Sequence, residues 1–435
     1  MRIRLVYPSW QRIQHQTHYV LPPLGVATVA ALTPAGHEVS IADENVAPVD
    51  ASAPADLVGI SVMLISQLPR AFAIADEYRG RGVPVVIGGL SASCLPAECG
   101  RHADAVVVGE AESVWDRVVA DAQQRRLQPL YRREGFSRPE EFPVPRRDLL
   151  DPRHYTFRGL RMMDLIETSR GCRFGCLPCQ VPYLCGRRIR PRAVADVVAE
   201  MRSLTCERVF VVDNSLEQDE DYQRRLLPAM AGMGKSWVSH PITARPDILK
   251  LAVRAGWWLV YQSVLGPSPR IREKVRRYHD HGIAVEATIL FGLDEHGPDI
   301  FRRTVDFLRE ADVDIAEFTV LTPFPGTPLF DAMKRDGRLL HEDWARYNAE
   351  SVVFRPARMS PEELQQGYLW AWEEFYREQS QAAHMFRLLR RLPSLRDWRP
   401  EAQAPDRVIP HQKAGPRAVW GRPASVSEAG RDTGK

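Results

Sequence analysis

Nowhere does this 435-residue chain run through the ~20 uninterrupted apolar residues that a membrane-spanning helix needs, so no membrane span is expected. Charge of one sign is equally scarce. Fifty-eight Lys and Arg face 55 Asp and Glu, and a formal +3 is too small to argue for nucleic acid or a membrane surface as partner. The opening MRIRLVYPSW lacks the apolar core and small-residue cleavage site of a secretory signal, so a cytoplasmic location is expected. Cysteine is sparse and odd in number, at seven, which is a poor basis for a disulfide framework in a chain this long. Three of the seven nevertheless crowd into residues 172–179, and that spacing suits a metal or redox site. No internal repeat of fixed period is present.

With 44% hydrophobic and 26% charged residues, the chain has the balance of a globular protein with sizeable cores. Its length suggests two or three domains. Up to about Leu150, short β-rich runs alternate with helical stretches. Ile3–Tyr7, Val39–Ala42, Asp56–Val62, Val83–Ile87 and Ala105–Val108 read as strands, and Leu24–Leu32 and Ala71–Arg79 as helices. Such alternation predicts a parallel sheet covered on both faces, which binds ligands beyond the carboxyl ends of its strands. Ser61, Gly88-Gly89 and Gly109-Glu110 stand at those ends.

After a polar, Pro- and Arg-rich linker a second series follows. Its strands are expected at Met163–Glu167, Arg208–Val212, Leu259–Gln262, Val285–Leu290 and Glu317–Leu321, with helices such as Ala193–Leu204, Asp247–Ala255 and Ile300–Glu310 between them. This pattern suits a full or partial α/β barrel, whose chemistry sits at the strand carboxyl ends.

Directly after the first strand of that second series stands CxxxCxxC, with Cys172, Cys176 and Cys179. Thiolates on one short loop can wrap a compact iron–sulfur cube, and three of them leave one iron open to chelate a small molecule. Structural zinc, with Cys185 as a fourth ligand, and a plain redox thiol group are the alternatives that spacing leaves open.

This motif in this place resembles the radical S-adenosylmethionine (SAM) superfamily, and SRGCRFGCLPCQVPYLCGRRIRPR is similar to its cobalamin-dependent branch. PPLGVATVAALTPAGHEVSIAD (22–43), VGISV (58–62), VVIGGLSAS (85–93) and DAVVVGEAE (104–112) resemble that branch's cobalamin domain. HDHGIAVEATILFGLDEHGPDIFRRTVDF (279–307) and TVLTPFPGTPLFDAM (319–333) resemble its later barrel strands. DWARYNAESVVFRPARMSPEEL (343–364) is similar to a segment of the hopanoid and bacteriochlorophyll side-chain methylases.

The resemblance implies an α/β chain. Residues 1–135 would form a doubly wound, Rossmann-like cobalamin-binding domain, 136–158 a linker, 159–345 a partial TIM barrel of the radical SAM type, and 346–397 a helical cap. Residues 398–435 are expected to be a disordered tail.

The implied activity is C-methylation of an unactivated carbon of a small-molecule, lipid or pigment substrate. A 5′-deoxyadenosyl radical would take hydrogen, methylcobalamin would supply the methyl group, and flavodoxin or ferredoxin would serve as electron donor. Cyclisation, rearrangement or oxidation without methyl transfer is the enzymatic alternative, and a non-catalytic cobalamin or cluster sensor the other.

Residue by residue, the resemblance implies that Cys172, Cys176 and Cys179 ligate a 4Fe–4S cluster. Asp213 and Asn214, with Gln262 and Ser263 on a later strand, would face SAM. Leu24, Gly25, Ser61, Val62, Gly88, Gly89, Gly109 and Glu110 would face cobalamin. Pro178, Gln262 and Leu90-Ser91 depart from the usual residues, and without an Asp-x-His-x-x-Gly signature a histidine-free lower corrin face is expected.

Other signals point elsewhere. Gly232–Ser236 imitates a phosphate loop, but Ala229 replaces its earlier glycine and it follows a helix. His279 and His281 read as surface residues, and Cys94, Cys99 and Cys206 as ordinary small ones. Trp237, Trp257 and Trp258 read as barrel packing. Arg187, Arg188, Arg190 and Arg192 read equally as a solvated face or as contacts to a phosphate or carboxylate of cofactor or substrate.

Overall fold

The computed structural model describes residues 1–10 and 20–399. Most of the predicted tail, from residue 400 on, lies outside the described residues. Two six-stranded sheets organise the rest.

The first contains β1 (Arg2–Tyr7), β2 (Glu38–Asp43), β3 (Leu57–Ser61), β4 (Val85–Gly88), β5 (Ala105–Val108) and β6 (Leu130–Arg132). All pairings are parallel, in the order β2-β1-β3-β4-β5-β6. Runs such as VVIG and AVVV are buried along their length, as central strands of a sheet covered on both faces must be. The cover comes from α1 (Leu24–Leu32), α2 (Leu68–Gly80), α3 (Leu90–Cys94), α4 (Pro96–His102) and α5 (Trp115–Gln123). Their apolar residues form two clusters, one on each face. Strand order reverses between β1 and β3, which opens a crevice at their carboxyl ends.

The linker does not hang free. The Arg146 amide donates to Ala27 O at 2.9 Å, and the Arg147 guanidinium reaches Leu165 O at 2.7 Å and Glu200 at 2.6 Å. A short hairpin, β7 (Thr156–Phe157) with β8 (Leu160–Arg161), follows.

The barrel begins with β9 (Asp164–Ile166). A two-stranded neck comes next, β10 (Ser169–Arg170) and β11 (Arg190–Pro191), enclosing the cysteine loop and the short α6 (Val181–Leu184). Then come α7 (Val194–Ser203), β12 (Arg208–Val211), α8 (Glu220–Met230), β13 (Ser236–Ser239), α9 (Pro246–Ala255), β14 (Trp257–Val264), α10 (Pro269–His279), β15 (Ala284–Phe291), α11 (Ile300–Glu310) and β16 (Ile315–Val320). The second sheet is parallel throughout, in the order β9-β12-β13-β14-β15-β16, a partial barrel with its helices outside.

Strand β13 is absent from the sequence-based reading, because Ser236 and Ser239 bracket only two apolar residues. The Gly232–Ser236 stretch leads into this strand. Lys235 donates to the carbonyls of Leu204 and Cys206 at 2.7 and 2.8 Å, which gives it a structural task.

Alternation sorts the barrel residues into two sets. Trp237, Trp257, Val260, Val264, Ala287 and Phe291 pack outward against the helices. Val238, Leu259, Ala284 and Ile315 pack inward, with Phe210 and Tyr261 beside them. The floor of the lumen is finished by Phe157, Leu160, Trp258 and by Met385 and Phe386 of a C-terminal helix.

After β16, α12 (Pro328–Arg335) and the segment around Trp344 return to the first domain, where Trp344 Nε1 donates to Glu98 at 2.8 Å. Helix α13 (Pro361–Phe375), started by a Ser360/Glu363 capping box, packs on α11 and β16. Helix α14 (Gln381–Leu389) is the one that closes the barrel floor. Among the described residues no helix is long and apolar enough to cross a membrane.

Candidate functional site

The carboxyl ends of the two sheets face one another across the cysteine loop. The loop leaves the barrel at β10 and returns at β11, where Ser169 pairs with Pro191 and Arg170 with Arg190. Gly171 stands at the turn out of the neck with φ +93°. A Cβ there would lie 2.2 Å from the Arg188 carbonyl oxygen, so only glycine lets the two arms of the loop approach this closely. The Cys172 amide donates to Gly186 O at 3.0 Å across the same gap.

Three polar anchors hold the loop. At its neck the buried Asp213 carboxylate accepts from the Thr168 amide and hydroxyl, both at 2.6 Å, and from the Ser169 hydroxyl. In the middle, Gln218 Oε1 accepts from the Arg173 amide at 2.7 Å. On the far side, Gln180 Nε2 donates to Pro325 O at 2.9 Å and lies 3.0 Å from Cys94 Sγ, at the end of α3 in the first domain.

Ion pairs reinforce that junction. Arg190 meets Glu110 at 2.5 Å, and Arg170 meets Glu112 at 2.8 Å, Glu167 at 2.7 Å and Glu110 at 3.5 Å. Arg192, also buried, is paired with Glu200 at 2.6 Å. The Arg-rich stretch is therefore divided. Arg187 and Arg188 are exposed, while Arg190 and Arg192 bind carboxylates of the protein itself, an outcome the sequence reading did not weigh.

The donor set of the loop suits an iron–sulfur cube. Burial, and then the neighbouring thiols, push the Cys172 and Cys179 thiols above their ordinary pKa, a repulsion that bound iron would relieve. The Phe174 and Val181 amides donate towards these two sulfurs, and Cys176 is exposed. One zinc ion would draw its thiolates to within about 4 Å of one another. Among the described residues no three of His, Cys, Asp or Glu are gathered as they stand to hold a metal ion, which separates neither reading from the other. A cube spreads its thiolates over separate irons. Cys185, the possible fourth zinc ligand, is half-buried near Cys94 and Glu110 of the first domain, and burial pushes its thiol up to about 12.

The first domain offers a cradle at the ends of β3, β4 and β5. Gly89 has φ +101°, and a Cβ on it would strike Val62 O at 2.6 Å, so the β4 loop packs directly onto the β3 loop. Gly25 and Gly109 face open space, and Leu24 and Ser61 are half-buried.

Several expected contact residues take other places. Val62 is fully buried, its amide donating to Gly88 O and its carbonyl accepting from Ser91, so it presents nothing to a ligand. The next two residues, Met63 and Leu64, are the exposed apolar ones, 58% and 38% accessible. Their amides are held by Gln67 Oε1 at 3.0 and 2.9 Å. The Glu110 carboxylate is consumed by Arg190, Arg170 and the Ser137 amide at 2.6 Å, so the side chain joins the domains.

The same holds in the barrel. Asp213 was expected to face SAM, yet its carboxylate is spent on the loop neck. Burial raises its pKa to about 6 against those three donors. Gln262 shares the outward face of Val260 and Val264 and stands beside Ala287, so it turns from the lumen. Asn214 is half-buried and Ser263 exposed on the lumen side.

The lumen holds polar residues that the sequence reading missed. His240, beyond β13, donates from Nδ1 to Asp213 O at 2.8 Å and sits against Phe210 and Tyr261. Burial lowers its pKa, so it is a neutral ring at neutral pH. Tyr261, Glu286-x-Thr288 and Glu317-x-Thr319 line the inner faces of β14, β15 and β16, Tyr261 two residues before the expected Ser263. Their period-two spacing was the available signal.

Residues 14–119 match the B12 binding domain family, and residues 327–417 match a domain of unknown function. The chain is 26% identical over 382 residues to the bacteriochlorophyllide d C-12(1)-methyltransferase of Chlorobaculum tepidum, covering 82% of each chain. It is 27% identical over 366 residues to the hopanoid C-2 methylase of Rhodopseudomonas palustris, covering 77% of this chain and 68% of that one. In fold it is similar to the radical S-adenosylmethionine methyltransferase TsrM of Kitasatospora setae, solved with cobalamin and a 4Fe–4S cluster bound. There the TM-score is 0.61 at 19% identity, over 84% of this chain and 85% of that one.

Proposed function

Because the chain belongs to the cobalamin-dependent radical SAM enzymes, we propose that it methylates an unactivated carbon of a small organic substrate held in the barrel lumen. It is an enzyme of the methyltransferase kind whose cofactors are a 4Fe–4S cluster, SAM and cobalamin. Cys172, Cys176 and Cys179 would hold the cluster. Asn214 and Ser263 would contact SAM, and the backbone of Gly88, Gly89 and Gly109, with Leu24, Gly25, Ser61, Met63 and Leu64, would line the corrinoid. When bound, these groups supply a hydrogen-abstracting radical and a methyl donor.

The carrying observation is that the loop bearing the three cysteines is fastened to both sheets at their carboxyl ends. Gln180 reaches α3, Arg170 and Arg190 reach Glu110 and Glu112, and Asp213 grips the neck. A substrate in the lumen therefore lies under a cleft bounded by the cluster loop on one side and the β3–β5 loops on the other. The protein's part in the chemistry is to hold these reactants in register and keep water from the radical. The aromatic faces of Phe210, His240 and Tyr261 and the half-buried Leu290 form the walls. The neutral His240 adds no charge there.

The test is anaerobic turnover with SAM deuterated in its methyl group, in metabolite extract, under a strong reductant. Formation of both 5′-deoxyadenosine and S-adenosylhomocysteine, with a product heavier by a labelled methyl, is the expected result. Deoxyadenosine with an unlabelled product would replace methylation by another radical outcome. No SAM cleavage by iron-loaded protein would overturn the enzymatic reading.

A further inference from the structure

We infer that Glu286, with Glu317 beside it, forms a subsite in the barrel lumen for a basic nitrogen of the substrate. The inference rests on the reading that the lumen is the reaction chamber, and it goes further in naming what the substrate carries. Register places Tyr261 level with Glu286, and Thr288 level with Glu317, on the inner faces of neighbouring strands. Glu286 is level with Ile315, and Glu317 stands two residues further along, so the two glutamates are diagonal neighbours on one face, with Cα atoms about 7–8 Å apart and long side chains within reach of a common ligand atom. Directly beneath is the apolar floor of Leu259, Ala284, Ile315 and Phe386.

Glu286 is only 4% exposed. The Tyr261 hydroxyl is its hydrogen-bond partner, while its Oε2 is buried with no partner. No Lys, Arg or His forms an ion pair with it among the described residues. Three other glutamates with buried carboxylates are matched with arginine, Glu44 with Arg70, Glu110 with Arg190 and Glu200 with Arg147 and Arg192, and the buried Asp213 has three hydrogen-bond donors instead. A buried carboxyl without that match costs stability unless it is protonated or a ligand supplies the cation. Burial first, and then Glu317, raise the pKa of Glu286 to about 8.

The chemistry that fits is a protonated amine or amidine. It brings its own charge and N–H donors to the open Oε2. On binding, the Glu286 carboxyl gives its proton to solvent and the resulting carboxylate pairs with the ammonium, so one proton is released per cation bound. A substrate carboxylate or phosphate at the same place would be repelled, and an alcohol would gain no charge pairing.

The experiment uses anaerobically reconstituted, cofactor-loaded protein without reductant, so that nothing turns over. Benzylamine is the probe and benzyl alcohol its uncharged counterpart, titrated calorimetrically at pH 7 in two buffers of different ionisation enthalpy. Benzylamine is expected to bind at least tenfold more tightly than the alcohol, with proton release. Glu286→Gln should abolish both the preference and the release. Glu317→Gln should keep amine binding but release fewer protons, because removing a like charge lets Glu286 ionise beforehand. Equal affinity for the two probes, no benzylamine binding, or an unchanged preference in Glu286→Gln would overturn the subsite. SAM cleavage by the wild-type protein is measured separately. Cleavage without amine selectivity sinks only this inference, and selectivity without cleavage sinks only the enzymatic reading.

Discussion

Replacing Gly171 with alanine tests whether the neck of the cysteine loop is as tightly built as its geometry implies. At φ +93° a side chain costs about 1–2 kcal/mol in backbone conformation alone. The new Cβ would also sit 2.2 Å from Arg188 O and 3.1 Å from Cys185 O. Both are backbone atoms, so no rotamer change relieves the contact, and overpacking of this sort adds about 1–3 kcal/mol. The loop conformation that presents the three thiols together should therefore be disfavoured by roughly 2–5 kcal/mol, a factor of about 30 to several thousand at 1.4 kcal/mol per decade.

Gly282→Ala is the control. It also has positive φ, at +76°, but nothing lies within 4 Å of the added carbon. It pays only the conformational part, for an expected fall in Tm of a few degrees. The assay is anaerobic reconstitution, iron and sulfide content, and then the rate at which bathophenanthroline strips iron. Gly171→Ala should lose iron at least 30-fold faster than wild type, and Gly282→Ala at the wild-type rate. Wild-type iron retention in Gly171→Ala, or equal loss in both variants, would refute the argument.

Alanine at Cys172, Cys176 or Cys179 is expected to remove the iron–sulfur absorbance after reconstitution, whereas Cys206→Ala should keep it. Gly89→Ala, whose Cβ meets Val62 O at 2.6 Å, should weaken cobalamin retention on gel filtration at least tenfold while iron content stays unchanged. Arg190→Ala takes the nearest cation from the buried Glu110 carboxylate and leaves it Arg170 at 3.5 Å and the Ser137 amide, so it should cost about 1.5–3 kcal/mol, read as a lower Tm and as faster proteolysis between the two domains. The folded pKa of Glu286 lies above its ordinary value of 4.5, so the native state keeps a proton that the unfolded chain has shed. Stability should therefore fall as pH rises from about 4.5 to about 8, then level off, with a ceiling on the order of 5 kcal/mol. Glu286→Gln lacks this loss, so its Tm advantage over wild type should widen across that window, and a gap independent of pH would contradict it.

The division of labour between sequence and fold follows from how far apart the interacting groups lie along the chain. Cys172, Cys176 and Cys179 are local, and their spacing is visible in a line of text. So are the strand–helix alternation of both halves and the glycines at strand ends. Short β13 escaped notice because Ser236 and Ser239 leave it too little apolar signal, and only its pairing with β12 and β14 makes it a strand.

The roles of charged residues were the least legible. Asp213 and Glu110 look, in sequence, like acceptors waiting for a ligand. In the fold their carboxylates are taken by Thr168 and Ser169, 44–45 positions away, and by Arg190, 80 positions away. Gln262 and Glu286 show the same lesson in reverse. Alternation along a strand separates two faces, but nothing in a single strand says which face is the lumen. That is set by α7–α11 covering one side of the sheet and α14 plugging the other. The sequence by itself marked out the cysteine loop and the strand-end glycines as the candidate site, because the residues of one loop come from one short stretch. Only tertiary structure decided which acids are occupied and which lie on the inner face of the barrel, because a carboxylate's partner is set by packing between strands and domains distant in the chain.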